Sequence, residues 1–381
     1  MIYQDVNSKK TTEESIKPVD FKDKSISVKG HLDSNKDYFP RLNALRGIAI
    51  TMVLLQHFGW YYFSKYDFGR YGVDLFFVLS GFLITGILIN SKGNSGKALK
   101  NFYGRRFLRI FPIYYITIFI LFLLNDSNVK NSFASLLTYT FNYDAMRNHL
   151  GISDISHVWS LSVEEQFYIV WPFLLLPFRK NKPALLIIVT LVIVISFIQL
   201  VFSPFMNESF NYIATFPRTY FLAIGGFAAI VFKNKKLKGN TWIDISVLLA
   251  SVALVIINAT WSEVILAFTW VYFIAKSASQ NSFVKFLEKI FDNKLLQRIG
   301  LVSYGIYVFH KPLAKYVFDP LYQYLRDGIS LYNIGKPFSY MNYHPYFLPI
   351  VVYPVLTYLF ALVSYRYFEK PLLKLKGRFF K

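Results

Sequence analysis

Two ionisable side chains interrupt the apolar run RLNALRGIAITMVLLQHFGW, residues 41–60: Arg46 and His57. An imidazole takes up and returns protons near neutral pH, and a guanidinium fixes an anion. Together they offer a base with a binding cation beside it. Eleven residues separate the two. On a helix turning about 100° per residue, that spacing puts both on one face, about 16 Å apart. Each costs on the order of 2.5–3.5 kcal/mol at mid-bilayer, which makes such residues functional candidates. The structural alternative is that Arg46 snorkels to the membrane surface while His57 hydrogen-bonds a neighbouring helix.

Further polar groups recur in apolar surroundings. The run YGVDLFFVLSGFLITGIL carries Asp74, expected at the depth of His57. A carboxylate there can hold an imidazole in one tautomer so that its other nitrogen acts as a base; helix capping is the alternative. Ser80, Gly81 and Gly86 in the same run would let helices approach closely. NFYGRRFLRIFPIYY brings Arg105, Arg106 and Arg109, the last two on one helical face. Such a fork suits phosphate, although any cytoplasmic segment beside a membrane tends to be basic. With no acidic partner nearby, it points to an anionic cytosolic ligand, and a pantetheine cofactor fits: phosphates at the mouth, an extended arm reaching towards His57.

HVWSLSVEEQFYIVWP, residues 157–172, offers Glu164 or Glu165 with Trp159 and Tyr168, a set that resembles a carbohydrate-binding edge. Ser162 and Glu165 also have capping-box spacing, which would explain part of it structurally. FPRTYFLAIGGFAA places Arg218 near a helix start, and SYGIYVFHKP sets Ser303, Tyr307 and His310 at i, i+4 and i+7, on one face. Arg218 and His310 are candidates for substrate binding, with purely structural roles equally open.

These residues need a scaffold, and composition says which. The chain has 381 residues, 54% hydrophobic and 19% aromatic, which fits a multi-span membrane protein better than a soluble domain. Ten apolar runs are long enough to cross a bilayer, near 43–62, 72–90, 107–124, 164–178, 184–203, 211–232, 242–259, 262–276, 299–318 and 345–367. With the N-terminus cytoplasmic, 32 Lys and Arg fall on the inner side and nine on the outer, alternating with each crossing. This pattern follows the positive-inside rule and predicts an all-α polytopic helix bundle of about ten transmembrane helices, both termini cytoplasmic. The net charge of +20 is therefore an orientation signal, not a nucleic-acid surface. The absence of cysteine excludes disulfides, thiolate metal sites and a cysteine nucleophile, and no metal is expected. Residues 1–40 read as a polar, disordered cytoplasmic tail without a signal peptide. Two outer loops, about 125–163 and 319–344, are rich in Tyr, Asn, Ser and Phe, suited to sugar stacking or to an interfacial aromatic belt.

Together, the R-x10-H of Arg46 and His57, VDLFFVLSGFLIT, FYGRRFLRIFPIYY, HVWSLSVEEQFYIVWP, SYGIYVFHKP and YFEKPLL resemble the acyltransferase 3 family of bacterial membrane O-acyltransferases. They stand in that family's order over about residues 41–375. The resemblance implies ten membrane helices in the bacterial inner membrane. It also implies an acyl-CoA donor, foremost acetyl-CoA, taken from the cytoplasm, and a hydroxyl acceptor on a cell-surface or exported carbohydrate. Arg46, His57, Arg106 and Arg109 match as the activity-critical set, with Asp74, Glu165 and Arg218 in further matching motifs. Many relatives add a C-terminal periplasmic esterase-like domain. With only a basic stretch, 376–381, after the membrane domain, the stand-alone type is expected. The expected division of labour gives the donor phosphates to Arg46, Arg106 and Arg109. His57, oriented by Asp74, either deprotonates the acceptor or first carries the acyl group. Glu165 assists, and Trp159, Tyr168, Arg218 and His310 seat the acceptor. The rival reading is a transporter or flippase of a lipid-linked sugar, which also places charge at mid-membrane; the inverted repeats common in that class are not evident.

Overall fold

A computed structural model describes residues 39–147, 155–202, 212–232, 237, 240–258, 261–279, 283–324 and 347–380. Of the expected N-terminal tail, residues 1–38 lie outside the described residues, as do residues 325–344 of the second long loop.

The described residues are helical, with no strand among them. Ten longer helices order the chain: α1 Pro40–Phe58, α2 Phe68–Ile89, α3 Ser95–Leu123, α4 Trp159–Leu175, α5 Lys182–Phe202, α6 Thr215–Val231, α7 Thr241–Ile257, α8 Ser262–Ala278, α9 Ser303–Leu313 and α10 Phe347–Ser364. Each apolar run of the sequence overlaps one of them. By length and hydropathy, α2, α3, α5 and the continuous stretch Pro349–Phe379 can each cross a bilayer. On α5, Ile187, Leu191, Val194 and Ile198 are exposed at helical spacing, while Leu185, Val189, Ser196 and Leu200 are buried on the opposite face. An apolar stripe turned outwards is stable in lipid and costly in water. The chain is a multi-pass membrane protein.

Local sequence explains several boundaries. Asn94 caps α3, its side chain accepting from the Lys97 N–H, so the helix starts well before residue 107 and Arg105, Arg106 and Arg109 sit inside it. The helix α4 begins at Trp159, after a short 3₁₀ turn at Ser156–Val158, and no side chain caps it. Ser162 is therefore an interior residue and the capping-box reading fails. The run near 299–318 is not one helix. Lys294–Leu301 and α9 meet at Val302, and past Pro312 the chain widens into a π-helical turn, Ala314–Phe318. The described part of the first long loop carries three short helices, at 127–131, 133–137 and 141–147. Its Tyr139 stacks on Tyr114 of α3 with ring centroids 4.5 Å apart, so this aromatic ring packs inwards.

At the centre, α2 packs against α1, α4, α6 and α8. The α2–α6 contact is backbone on backbone. A Cβ on Gly81 would lie 1.8 Å from the Leu222 carbonyl oxygen, and one on Gly225 would lie 2.0 Å from that of Val78. Gly86, expected to help, has open space around it. A buried ionic cluster ties the same elements together. Arg218 of α6 donates through Nη1 to Asp74 Oδ1 of α2 and to Glu263 Oε2 of α8, at 3.1 Å each, and through Nε to the Tyr212 carbonyl at 2.8 Å. Arg70 completes it at 2.6 Å from Glu263.

Candidate active site

Five helices, α1, α2, α3, α4 and α9, enclose a cavity of about 700 Å³, counted with its open side. Arg46 of α1, Ser80 of α2, Arg106 and Arg109 of α3, Glu164 and Tyr168 of α4, and Ser303 and Tyr307 of α9 line it. Three arginines from two helices thus converge on one space with a single carboxylate, Glu164. That carboxylate accepts from Ser80 Oγ at 2.6 Å. The guanidinium of Arg106 lies 4.7 Å from the Tyr168 ring centroid, a cation–π contact that fixes its plane. Arg46 Nη1 donates to Asn43 Oδ1 at 2.8 Å. Among the described residues, none of the three forms an ion pair with a carboxylate. Three guanidinium cations against one carboxylate give this space an excess of positive charge, which favours an anion.

The wall at Tyr307 is shared with a second group of side chains. Its hydroxyl donates to the His157 carbonyl at 2.7 Å and pairs with Ser160 Oγ at 2.6 Å. One helical turn on, His310 is fully buried, and its Nε2 lies 2.8 Å from His57 Nδ1. The His157 ring, from the turn before α4, stands 4.6 Å from the His310 ring. Three imidazoles from distant parts of the chain therefore meet behind the cavity. Among the described residues no cluster has the composition and spacing to hold a metal ion.

The residues singled out from sequence sort into three places. Arg46, Arg106, Arg109 and Tyr168 share the cavity, and His57 and His310 share a hydrogen bond. Asp74 and Arg218 share the ionic cluster: Asp74, expected beside His57, is hydrogen-bonded to Arg218 instead. Its neighbour is a buried guanidinium, which needs a carboxylate more than a neutral imidazole does. Arg218, expected to seat a substrate, has no exposed surface and does not line the cavity. Glu165 is buried away from the cavity that Glu164 lines, because consecutive helix residues point about 100° apart. Trp159 packs against Phe77 and Tyr212, with ring centroids 6.1 Å and 5.2 Å away, and does not line the cavity. Sequence reasoning missed His157, which precedes Val158 and Trp159 in a motif read for its carboxylates, and Ser160. The spacing from His157 to the helical face gave no signal because a 3₁₀ turn intervenes.

Comparison with known proteins adds an independent line. The family model described as "Acyltransferase domain" matches residues 39–372. The "Peptidoglycan O-acetyltransferase OatA" of Listeria monocytogenes is 26% identical over 89% of this chain and 56% of its own length. YrhL of Bacillus subtilis, provisionally named as a peptidoglycan O-acetyltransferase, is 28% identical over 90% of this chain and 56% of its own. A Staphylococcus aureus protein, provisionally named as an O-acetyltransferase, is 26% identical over 88% and 58%. The chain thus spans little more than half the length of the curated relatives it matches. No solved structure matches it.

Proposed function

The chain belongs to the acyltransferase 3 family, and on that premise we propose that it moves an acetyl group from cytoplasmic acetyl-CoA to a hydroxyl of a cell-envelope carbohydrate. The observation that carries this is the convergence of Arg46, Arg106 and Arg109 on a single cavity, none of them in an ion pair with a carboxylate among the described residues. The 3′-phosphate and pyrophosphate of coenzyme A supply the anions this space lacks, in the geometry guanidinium forks favour. The relatives' names favour a peptidoglycan-type glycan as acceptor. Ten crossings with cytoplasmic termini, supported by the distribution of Lys and Arg, put the three arginines at the inner face and His57 further out.

With the phosphates held there, the pantetheine arm runs along α1 and past Tyr307 towards His57. The acceptor hydroxyl gives its proton to His57 as its oxygen bonds to the acyl carbon. The carbon–sulfur bond then breaks, and the thiolate takes a proton back to leave as free coenzyme A. Tyr168 and Glu164 line the space in which these reactants are held. A charge-assisted hydrogen bond contributes about 1.5–3 kcal/mol, so Arg106→Ala or Arg109→Ala should each weaken coenzyme A binding roughly 10- to 150-fold. Calorimetry on the detergent-solubilised protein reads this. Parent-like affinity in both variants removes the clamp. Release of free thiol from acetyl-CoA tests the chemistry: a carrier of lipid-linked sugar releases none, and His57→Ala should abolish it.

A further inference from the structure

We infer that His310 is the positioning residue for His57, holding it in the tautomer whose Nε2 carries the free electron pair. This rests on the assignment of His57 as the base, and it gives His310 the task first expected of Asp74.

The argument follows the hydrogens. His310 Nδ1 lies 2.7 Å from the backbone carbonyl oxygen of Tyr307. A carbonyl oxygen only accepts, so the proton in that bond belongs to His310 Nδ1. A neutral imidazole carries one proton, which leaves His310 Nε2 as an acceptor. That nitrogen is 2.8 Å from His57 Nδ1, so His57 Nδ1 must be the donor. It follows that the lone pair of neutral His57 is on Nε2, the nitrogen turned away from His310. The chain of bonds runs one way, from His57 through His310 to the Tyr307 carbonyl, and it is anchored at a backbone atom that cannot reverse it.

Packing keeps the two rings in this register. His310 has no exposed surface. The two imidazole planes are within 15° of each other, Phe58 meets His310 edge-on with a centroid distance of 6.0 Å, and the Tyr307 and His157 rings close the other sides at 5.8 Å and 4.6 Å. The arrangement also serves the protonated intermediate. When His57 takes the acceptor's proton on Nε2, its Nδ1–H bond to His310 becomes charge-assisted, with no proton moved along the chain. Without His310, a neutral His57 divides between two tautomers, and in one of them Nε2 bears a proton and cannot act as a base.

Glutamine discriminates position from bulk, because its Oε1 reaches the place of an imidazole Nε2 and accepts a hydrogen bond there, whereas leucine fills space and accepts none. In the full-length protein with ¹⁵N-labelled histidine in nanodiscs, the His57 signals, assigned by their loss in His57→Gln, should report the Nδ1–H tautomer. His310→Gln should keep that tautomer and stay within about tenfold of the parent turnover. His310→Leu should mix the tautomers and lower kcat about 10²- to 10³-fold, with the KM for acetyl-CoA within about threefold. The proposal is overturned if parent His57 carries its proton on Nε2, a result that needs no variant to fold. It is equally overturned if the leucine variant keeps both the tautomer and the turnover. If His57→Ala turns over like the parent, the base assignment fails and the positioning role for catalysis fails with it, while the tautomer reading of the spectra separates the two faults.

Discussion

Replacing Arg218 with methionine tests whether the Asp74–Arg218–Glu263–Arg70 cluster braces the bundle or serves the reaction. Arg218 has no exposed surface and Asp74 retains 1%. Removing the guanidinium leaves Asp74 as a buried carboxylate without its ion partner, whereas Glu263 keeps Arg70 at 2.6 Å. Breaking one side of a buried pair costs about 3–5 kcal/mol, while replacing both sides with apolar groups of similar volume is often close to neutral. Arg218→Met alone should therefore destabilise by about 3–5 kcal/mol, and Arg218→Met with Asp74→Leu should recover about 2 kcal/mol or more of that loss. Unfolding in mixed detergent, followed by tryptophan fluorescence, gives the cycle, and thiol release from acetyl-CoA gives the activity of the same samples. If the cluster is a brace, turnover of the double variant corrected for folded fraction should be within about tenfold of the parent. Should Asp74 instead orient His57, the double variant would fold and yet lose about 10²- to 10⁴-fold in kcat, as removal of acid–base support does. That outcome, or single losses that simply add, would refute the reasoning.

Two further perturbations read the scaffold. Gly81→Ala drives a methyl into the Leu222 carbonyl of α6 and should cost about 1–3 kcal/mol or more, whereas Gly86→Ala, on the same helix with nothing within 4 Å, should be neutral or stabilise by up to about 1 kcal/mol; thermal unfolding of both variants in detergent separates them. Asp126, in the loop after α3, is pushed up by burial, but hydrogen bonds from Tyr316 at 2.5 Å and Lys315 at 2.9 Å outweigh this and hold its carboxyl below the usual range. Its folded value lies below its unfolded one, so its stabilisation is present above about pH 4 and disappears as pH falls through the folded value. The melting temperatures of the parent and Asp126→Asn should differ by a constant amount at neutral pH and converge in acid.

The sequence was legible wherever one helix carries both partners. Arg46 with His57, and Ser303 with Tyr307 and His310, were placed by rotation per residue alone, and α1 and α9 hold them on shared faces. Arg106 and Arg109 point into one cavity for the same reason. Reasoning from spacing stopped at the gaps between helices. It matched Asp74 to His57 by depth, yet depth fixes a layer of the membrane and leaves the rotation of each helix about its axis undetermined. Gly81 and Gly225 set that rotation for α2 and α6 by bringing their backbones together, and this turns Asp74 towards Arg218. The choice between Glu164 and Glu165 is likewise a matter of azimuth, decided once Ser80 of α2 lies opposite one of them.

Energetics explains why the partners distribute as they do. A buried guanidinium without a carboxylate is an uncompensated charge, and two carboxylates are within reach of Arg218. A neutral imidazole needs only an acceptor for its one N–H, and a second imidazole supplies it without bringing charge into the layer. Had Asp74 paired with His57, Arg218 would have kept Glu263 alone, shared with Arg70, and the cluster would have carried an excess positive charge. Placing Asp74 with Arg218, and His310 with His57, balances the ionic cluster and gives His57 an uncharged hydrogen-bond partner.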